Sequence, residues 1–159
     1  MNVGVVALSL ASAGHSATTV CADVSPAQRA SMSHSTNYRT TLITVAADCA
    51  ALLSAPPAKP GTVAGMQYEM LSARPYELTS DELLRAVEQA RKGADAAARL
   101  FDKPQACLRA SPLVKQYGFG LHHAAEARVA LVPLESDEYA RLLADPEVKK
   151  RPGMRSSRK

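Results

Sequence analysis

From Asn37 onward, apolar positions recur at spacings that change in character along the chain, and each change marks an element. Tyr38-Arg-Thr-Thr-Leu-Ile-Thr-Val-Ala46 is rich in β-branched residues and predicts a strand over 39–46. Three prolines within Pro56–Pro60 then remove backbone donors and impose a loop. After Gly61 the period becomes helical. Thr62 is placed to cap a helix over 62–73, with Val63, Met66 and Met70 on one face and Tyr68 and Leu71 alongside, ending at Arg74-Pro75. Thr79-Ser-Asp-Glu82 is a capping-box pattern opening a second helix, 80–92, with Leu83, Leu84, Val87 and Ala90 as its stripe and Gly93 as its stop. Residues 94–101 predict a shorter helical piece.

The period then returns to two. Ser111-Pro112 opens a short helix that Gly118 closes, since glycine enters the left-handed region without a Cβ penalty. Phe119, Leu121 and His123 alternate with Gly120 and His122, and Arg128–Val132 is again β-branched and apolar, so the pair predicts a β-hairpin over 119–132. Ser136 caps a last helix, 137–144, which stops at Asp145-Pro146. Together these elements predict a single α+β domain over 32–146. Its antiparallel sheet, with the C-terminal hairpin, packs against three or four helices.

Composition adjusts this picture in three places. Aromatic residues are only 4% and Trp is absent, so the core is expected to be Leu, Val, Ala and Met. Residues 147–159 hold six Lys or Arg against one Glu, which leaves the preceding body close to neutral. The basic character therefore describes a flexible tail and not a binding face. Three cysteines (Cys21, Cys49, Cys107) with no close pair argue against a disulfide framework and for a reducing, cytosolic setting. Residues 1–31 carry a single acid and a single base. Their apolar run Val3–Ala11 lacks a basic lead and is short for an export signal. A disordered leader is a further reading, but translation starting at Met32 is the more economical account. No run approaches the length of a membrane span.

Several motifs taken together resemble a known family. They are Thr36-Asn37-Tyr38, Val45-Ala46 with Asp48-Cys49, Gln67-Tyr68-Glu69, and Pro75-Tyr76 with Thr79-Ser80-Asp81. A longer stretch runs from Cys107 through Arg109, Ser111 and Tyr117-Gly118 to His122-His123. The chain resembles a family of small bacterial proteins catalogued as a domain of unknown function. The likeness covers about four-fifths of the sequence from Met32 onward. The resemblance implies a start near Met32 and confers no activity. Two departures stand out: Ala50 where the family has proline, and Ala124-Ala125-Glu126-Ala127 where it has Asn and Gly. Without a residue that favours positive φ, a tight primed turn is not expected, and a wider loop is.

The candidate chemistry gathers near the hairpin. His122 and His123 point to opposite faces of a strand, so one is expected in the core and the other outward as an acid–base or binding group. Arg109 and Ser111 flank a helix start whose free N–H groups suit an anion. With Tyr117 and His122 they outline a small-ligand pocket; the competing reading is that Ser111 only caps and Arg109 bridges a local acid. Cys49, Cys107, His122 and His123 supply zinc-type ligands but lack the close pairs of zinc sites, so no metal and no cofactor is assigned. Helix 80–92 mixes Asp81, Glu82 and Glu88 with its cations, which is poor for phosphate contact as a recognition helix. The leading expectation is a cytosolic module that binds a small ligand or a protein. An enzyme using His122 or His123 with Cys107 or Asp48, metal-assisted or not, is the alternative. A nucleic-acid accessory role through the basic tail ranks third.

Overall fold

The computed structural model describes residues 34–156. The expectation of a late start at Met32 falls on residues outside that range. Four strands, β1 (Thr41–Thr44), β2 (Phe119–His123), β3 (Val129–Pro133) and β4 (Lys149–Pro152), form one sheet in the order β3-β2-β1-β4. Five helices accompany it: α1 (Val63–Ala73), α2 (Ser80–Lys92), α3 (Ala94–Ala98), α4 (Pro112–Gln116) and α5 (Asp137–Ala144). The predicted α+β class is the observed one.

Local signals act where they were expected. The Thr62 hydroxyl accepts from the Gly65 N–H to open α1, and Thr79 with Glu82 completes the capping box of α2. Ser111 caps α4 with Pro112 at its first position, and Ser136 caps α5. Gly118 sits at φ +70 with its α-carbon against the Leu53 carbonyl, where an added Cβ would come within 3.0 Å of that oxygen.

Two corrections concern the sheet. It is mixed and not antiparallel. β2 pairs antiparallel with β1 and β3, but β4 runs parallel to β1, Thr41 opposite Lys149 and Thr44 opposite Pro152. Lys149–Pro152, within the 147–159 segment expected as a flexible basic tail, is this edge strand, and residues 157–159 of that segment lie outside the described residues. The strand's sequence, Lys-Lys-Arg-Pro, carries no apolar alternation; it is held by backbone hydrogen bonds and by buried anchors at either end, Val148 and Gly153. The second correction concerns the layers. Ile43, Leu121 and Val129 face Leu71 of α1, Leu83 of α2 and Val114 of α4, whereas Leu42 and Val132 face Tyr139 and Leu142 of α5. The face carrying His122, a side chain expected to point outward, is therefore covered in part by α5.

The buried side of α1 also differs from the apolar stripe. Ala64, Gly65, Gln67 and Leu71 are buried, while Met66 and Met70 are only partly so. Gln67 turns inward because Ser111 Oγ donates to its Oε1 at 2.7 Å, and a satisfied amide can occupy a core position. The β2–β3 loop closes through Ala124 N–H to the Arg128 carbonyl with Ala127 at φ +64, wider than a two-residue primed turn.

Candidate functional site

The site is assembled from the start of α2 outward. Asp81 lies in the first turn of that helix, where the helix dipole favours a carboxylate. It accepts four hydrogen bonds from the segment before β1: Ser35 Oγ, Thr36 N–H and Thr36 Oγ1 at 2.8 Å each, and Asn37 Nδ2 at 3.2 Å. The Asp81 N–H returns a bond to Asn37 Oδ1 at 3.1 Å. Residues 35–37 are thereby strapped to the helix, and Tyr38 is set, partly buried, beside His123 of β2.

Tyr38 joins two elements that the sequence keeps far apart. Its ring meets the His123 ring edge-on, with centroids 5.4 Å apart, and its hydroxyl donates to Cys107 Sγ at 3.3 Å. Burial raises the phenol pKa, the neighbouring thiol raises it further, and the Arg109 charge opposes both. His123 is fully buried, with Nε2 3.0 Å from Ser80 Oγ. Its Nδ1 meets no hydrogen-bond partner, although the Leu121 and Thr41 backbone lies close enough to favour the charged ring. Burial outweighs that pull and lowers the His123 pKa to about 4, so the ring is neutral at physiological pH.

Above this network opens a cleft of about 290 Å³. The strapped segment from His34 to Tyr38 forms one wall, and Gln105 and Cys107 form the other. The polar inventory of the strap is largely consumed: both side-chain ends of Asn37 are bound to Asp81. What remains for a ligand is the His34 ring, the Gln105 carbonyl oxygen and the Cys107 thiol with its Tyr38 partner.

The residues expected to form a pocket at the hairpin go to different places. Ser111 is buried, bonded to Gln67 and to the Leu113 N–H. Arg109 donates from Nε to the Pro152 carbonyl at 2.8 Å, and its own carbonyl accepts from Met154, so it clasps β4. Tyr117 packs against Ala64, Leu113 and Phe119. His122 lies on the α5 face, where Tyr76 Oη is 2.8 Å from its Nδ1 and the two rings meet edge-on at 5.7 Å. Tyr76 reaches it from a left-handed backbone, φ +59, its N–H bonded to the Val129 carbonyl. Burial lowers the His122 pKa; Glu138 pulls it up and Arg141 pushes it down.

Of the five predicted residues, His123 meets the Tyr38 ring directly, and the Arg109 side chain lies close enough to the Tyr38 hydroxyl to act on it by hydrogen bonding as well as by charge. Tyr38, Gln105, Ser80 and Asp81 were not singled out for chemistry, nor was Tyr76. All but Gln105 sat within the short motifs that carried the family likeness, so the signal was present as a pattern without a chemical reading. The four zinc-type residues do not converge: Cys107 bonds Tyr38, and His122 lies across the sheet from His123. Among the described residues no group of three or more His, Cys, Asp or Glu is placed to hold a metal.

The structure thus defines a small α+β domain in which a Ser–His–Tyr–Cys chain runs from the buried Ser80 and His123 to the partly exposed Tyr38 and Cys107 lining a cleft. A sequence profile for the family of unknown function DUF6157 matches residues 33–159, and the chain belongs to that family. No curated protein and no solved structure matches it. Among the described residues no helix is long and apolar enough to cross a membrane.

Proposed function

We propose that this chain is a cytosolic binding module for a small polar ligand, held in the cleft between the His34–Tyr38 strap and Gln105–Cys107. One observation carries the reading. The Ser35–Asn37 wall of the cleft is fixed by a carboxylate with all its acceptor capacity engaged, while the other wall presents Gln105 and Cys107, whose S–H is still available beyond the bond its sulfur accepts from Tyr38. Preorganised walls with a few unengaged polar groups are what a small-ligand site requires. Saturation-transfer NMR with a library of small polar fragments tests it, using the full chain with Cys21 and Cys49 replaced by Ser. Hits are expected that vanish when Cys107 is carboxamidomethylated and the cleft filled. Hits indifferent to that modification, or none at all, overturn the reading.

An enzymatic role for His122 is the second reading, favoured by the 2.8 Å bond to a tyrosine held at positive φ. Bulky residues in that backbone region are strained, and such strain gathers at functional positions. Tyr76→Phe is expected to alter the tautomer ratio of His122 in nitrogen-15 spectra while leaving the fold intact. An unchanged ratio removes the support for this reading.

A further inference from the structure

The Tyr38 cleft has a larger neighbour, a depression of about 530 Å³ bounded by the end of α2, by α3 and by the loop that follows. Gln105 lines both. Its side-chain amide donates to the Leu100 carbonyl at 2.5 Å and the Lys103 carbonyl at 3.2 Å, which fixes the loop between the two spaces. The larger cleft is charged. Glu88 is answered twice on its own helix, by Lys92 at 2.8 Å and Arg91 at 3.9 Å. That leaves Arg99, Lys103 and Asp102 on the lining, and among the described residues neither cation is engaged in an ion pair. A guanidinium and an ammonium outnumber the one uncompensated carboxylate, and guanidinium presents the fork that carboxylate and phosphate oxygens prefer.

We infer that the two clefts are halves of one site, in which Arg99 and Lys103 take an oxyanion of the ligand and the Tyr38–Cys107 half takes its uncharged polar part. The ligand class is therefore a small elongated molecule carrying a carboxylate or phosphate at one end. This rests on the binding reading above and adds the charge and length of what is bound.

Two measurements on the full chain test it. Titration with inorganic phosphate, and separately with succinate, is followed by backbone amide shifts. Saturable shifts confined to residues 92–105 are expected, with affinity falling about tenfold or more in the Arg99→Gln, Lys103→Gln double variant. Shifts that do not saturate, that appear equally at Lys149–Arg151, or that survive the double variant overturn the oxyanion assignment. The stronger response of the two anions identifies the ligand's end group. The second measurement compares alkylation of Cys107 by iodoacetate, an anion, and iodoacetamide, which is neutral, with Cys49 as internal reference. If the halves are joined, the acetate-to-amide rate ratio at Cys107 exceeds that at Cys49 several-fold and falls in the double variant. Equal ratios, or a Cys107 inert to both reagents, separate the halves and overturn the single site. Failure of the fragment screen together with retained phosphate binding would remove the binding reading at Cys107 while sparing the oxyanion assignment.

Discussion

With no solvent contact and a serine hydroxyl as its hydrogen-bond partner, His123 must be neutral for the sheet to close over it. An ordinary histidine in the unfolded chain titrates near 6.5, whereas the native ring titrates at about 4. Between those values the unfolded chain binds more protons, so the contribution is complete above pH 6.5 and is lost as pH falls toward 4. Unfolding free energy from urea melts is expected to drop by about 3 kcal/mol across that window. The Ser80→Ala, His123→Leu double variant should remove the His123 part of this slope and keep the loss from His122, whose pKa burial also lowers, and the carboxylate-driven loss at lower pH, where Glu82 has its own depressed pKa. Gly120 makes a second prediction of this kind. A Cβ there would stand 2.6 Å from the Tyr139 ring, whose hydroxyl accepts the Val45 N–H at 3.1 Å. Gly120→Ala is expected to cost about 1–3 kcal/mol in chemical denaturation, and noticeably less in a Tyr139→Leu background, because the two positions collide.

Elements differ in how openly the sequence announces them. Every α-helix begun by a polar cap was legible, because Thr62, Thr79, Ser111 and Ser136 each satisfy an N–H within three residues, and local chemistry is written locally. β4 was not legible. Lys149–Pro152 has no hydrophobic period to read; its strand character comes from β1, far away in sequence. Gln67 escaped for a related reason, its burial depending on Ser111 in another element. The candidate site was legible only as motifs: the Asp81 strap and the Tyr38–Cys107 contact join positions that no spacing rule connects. Asp81→Ala should remove four hydrogen bonds at once and destabilise by about 2–4 kcal/mol, with faster hydrogen exchange at Thr36 as the local sign. Gly153→Ala should act where the end of β4 meets β1 and α4. Its Cβ would fall 2.4 Å from Val114 Cγ1 and 3.0 Å from the Thr44 carbonyl, so exchange at Lys149–Gly153 is expected to accelerate, with partial recovery in Val114→Ala.

Across the whole sheet, each edge is blocked over part of its length. β3 is flanked by the 76–79 segment, Tyr76 donating to the Val129 carbonyl and Val129 to the Leu78 carbonyl. At the other margin Pro152 offers no N–H, and its carbonyl is taken by Arg109. Basic side chains on an edge strand also discourage strand addition, which gives the positive charge of Lys149–Arg151 a role that needs no nucleic acid. Truncation after Asp145 removes this strand, so it is expected to unfold the domain and tells nothing about binding through charge. Lys149→Gln with Arg151→Gln separates the two: circular dichroism should be unchanged, and salt-sensitive retention on an immobilised polyanion should fall. The parallel register of β4 has a last consequence, for biosynthesis. β1 occupies an inner place in the sheet, yet β2 is complete only about 80 residues beyond it and β4 only about 110. On a translating ribosome Leu42 and Ile43 wait for their first strand partner through about half of synthesis, an interval in which chaperones have a claim on them.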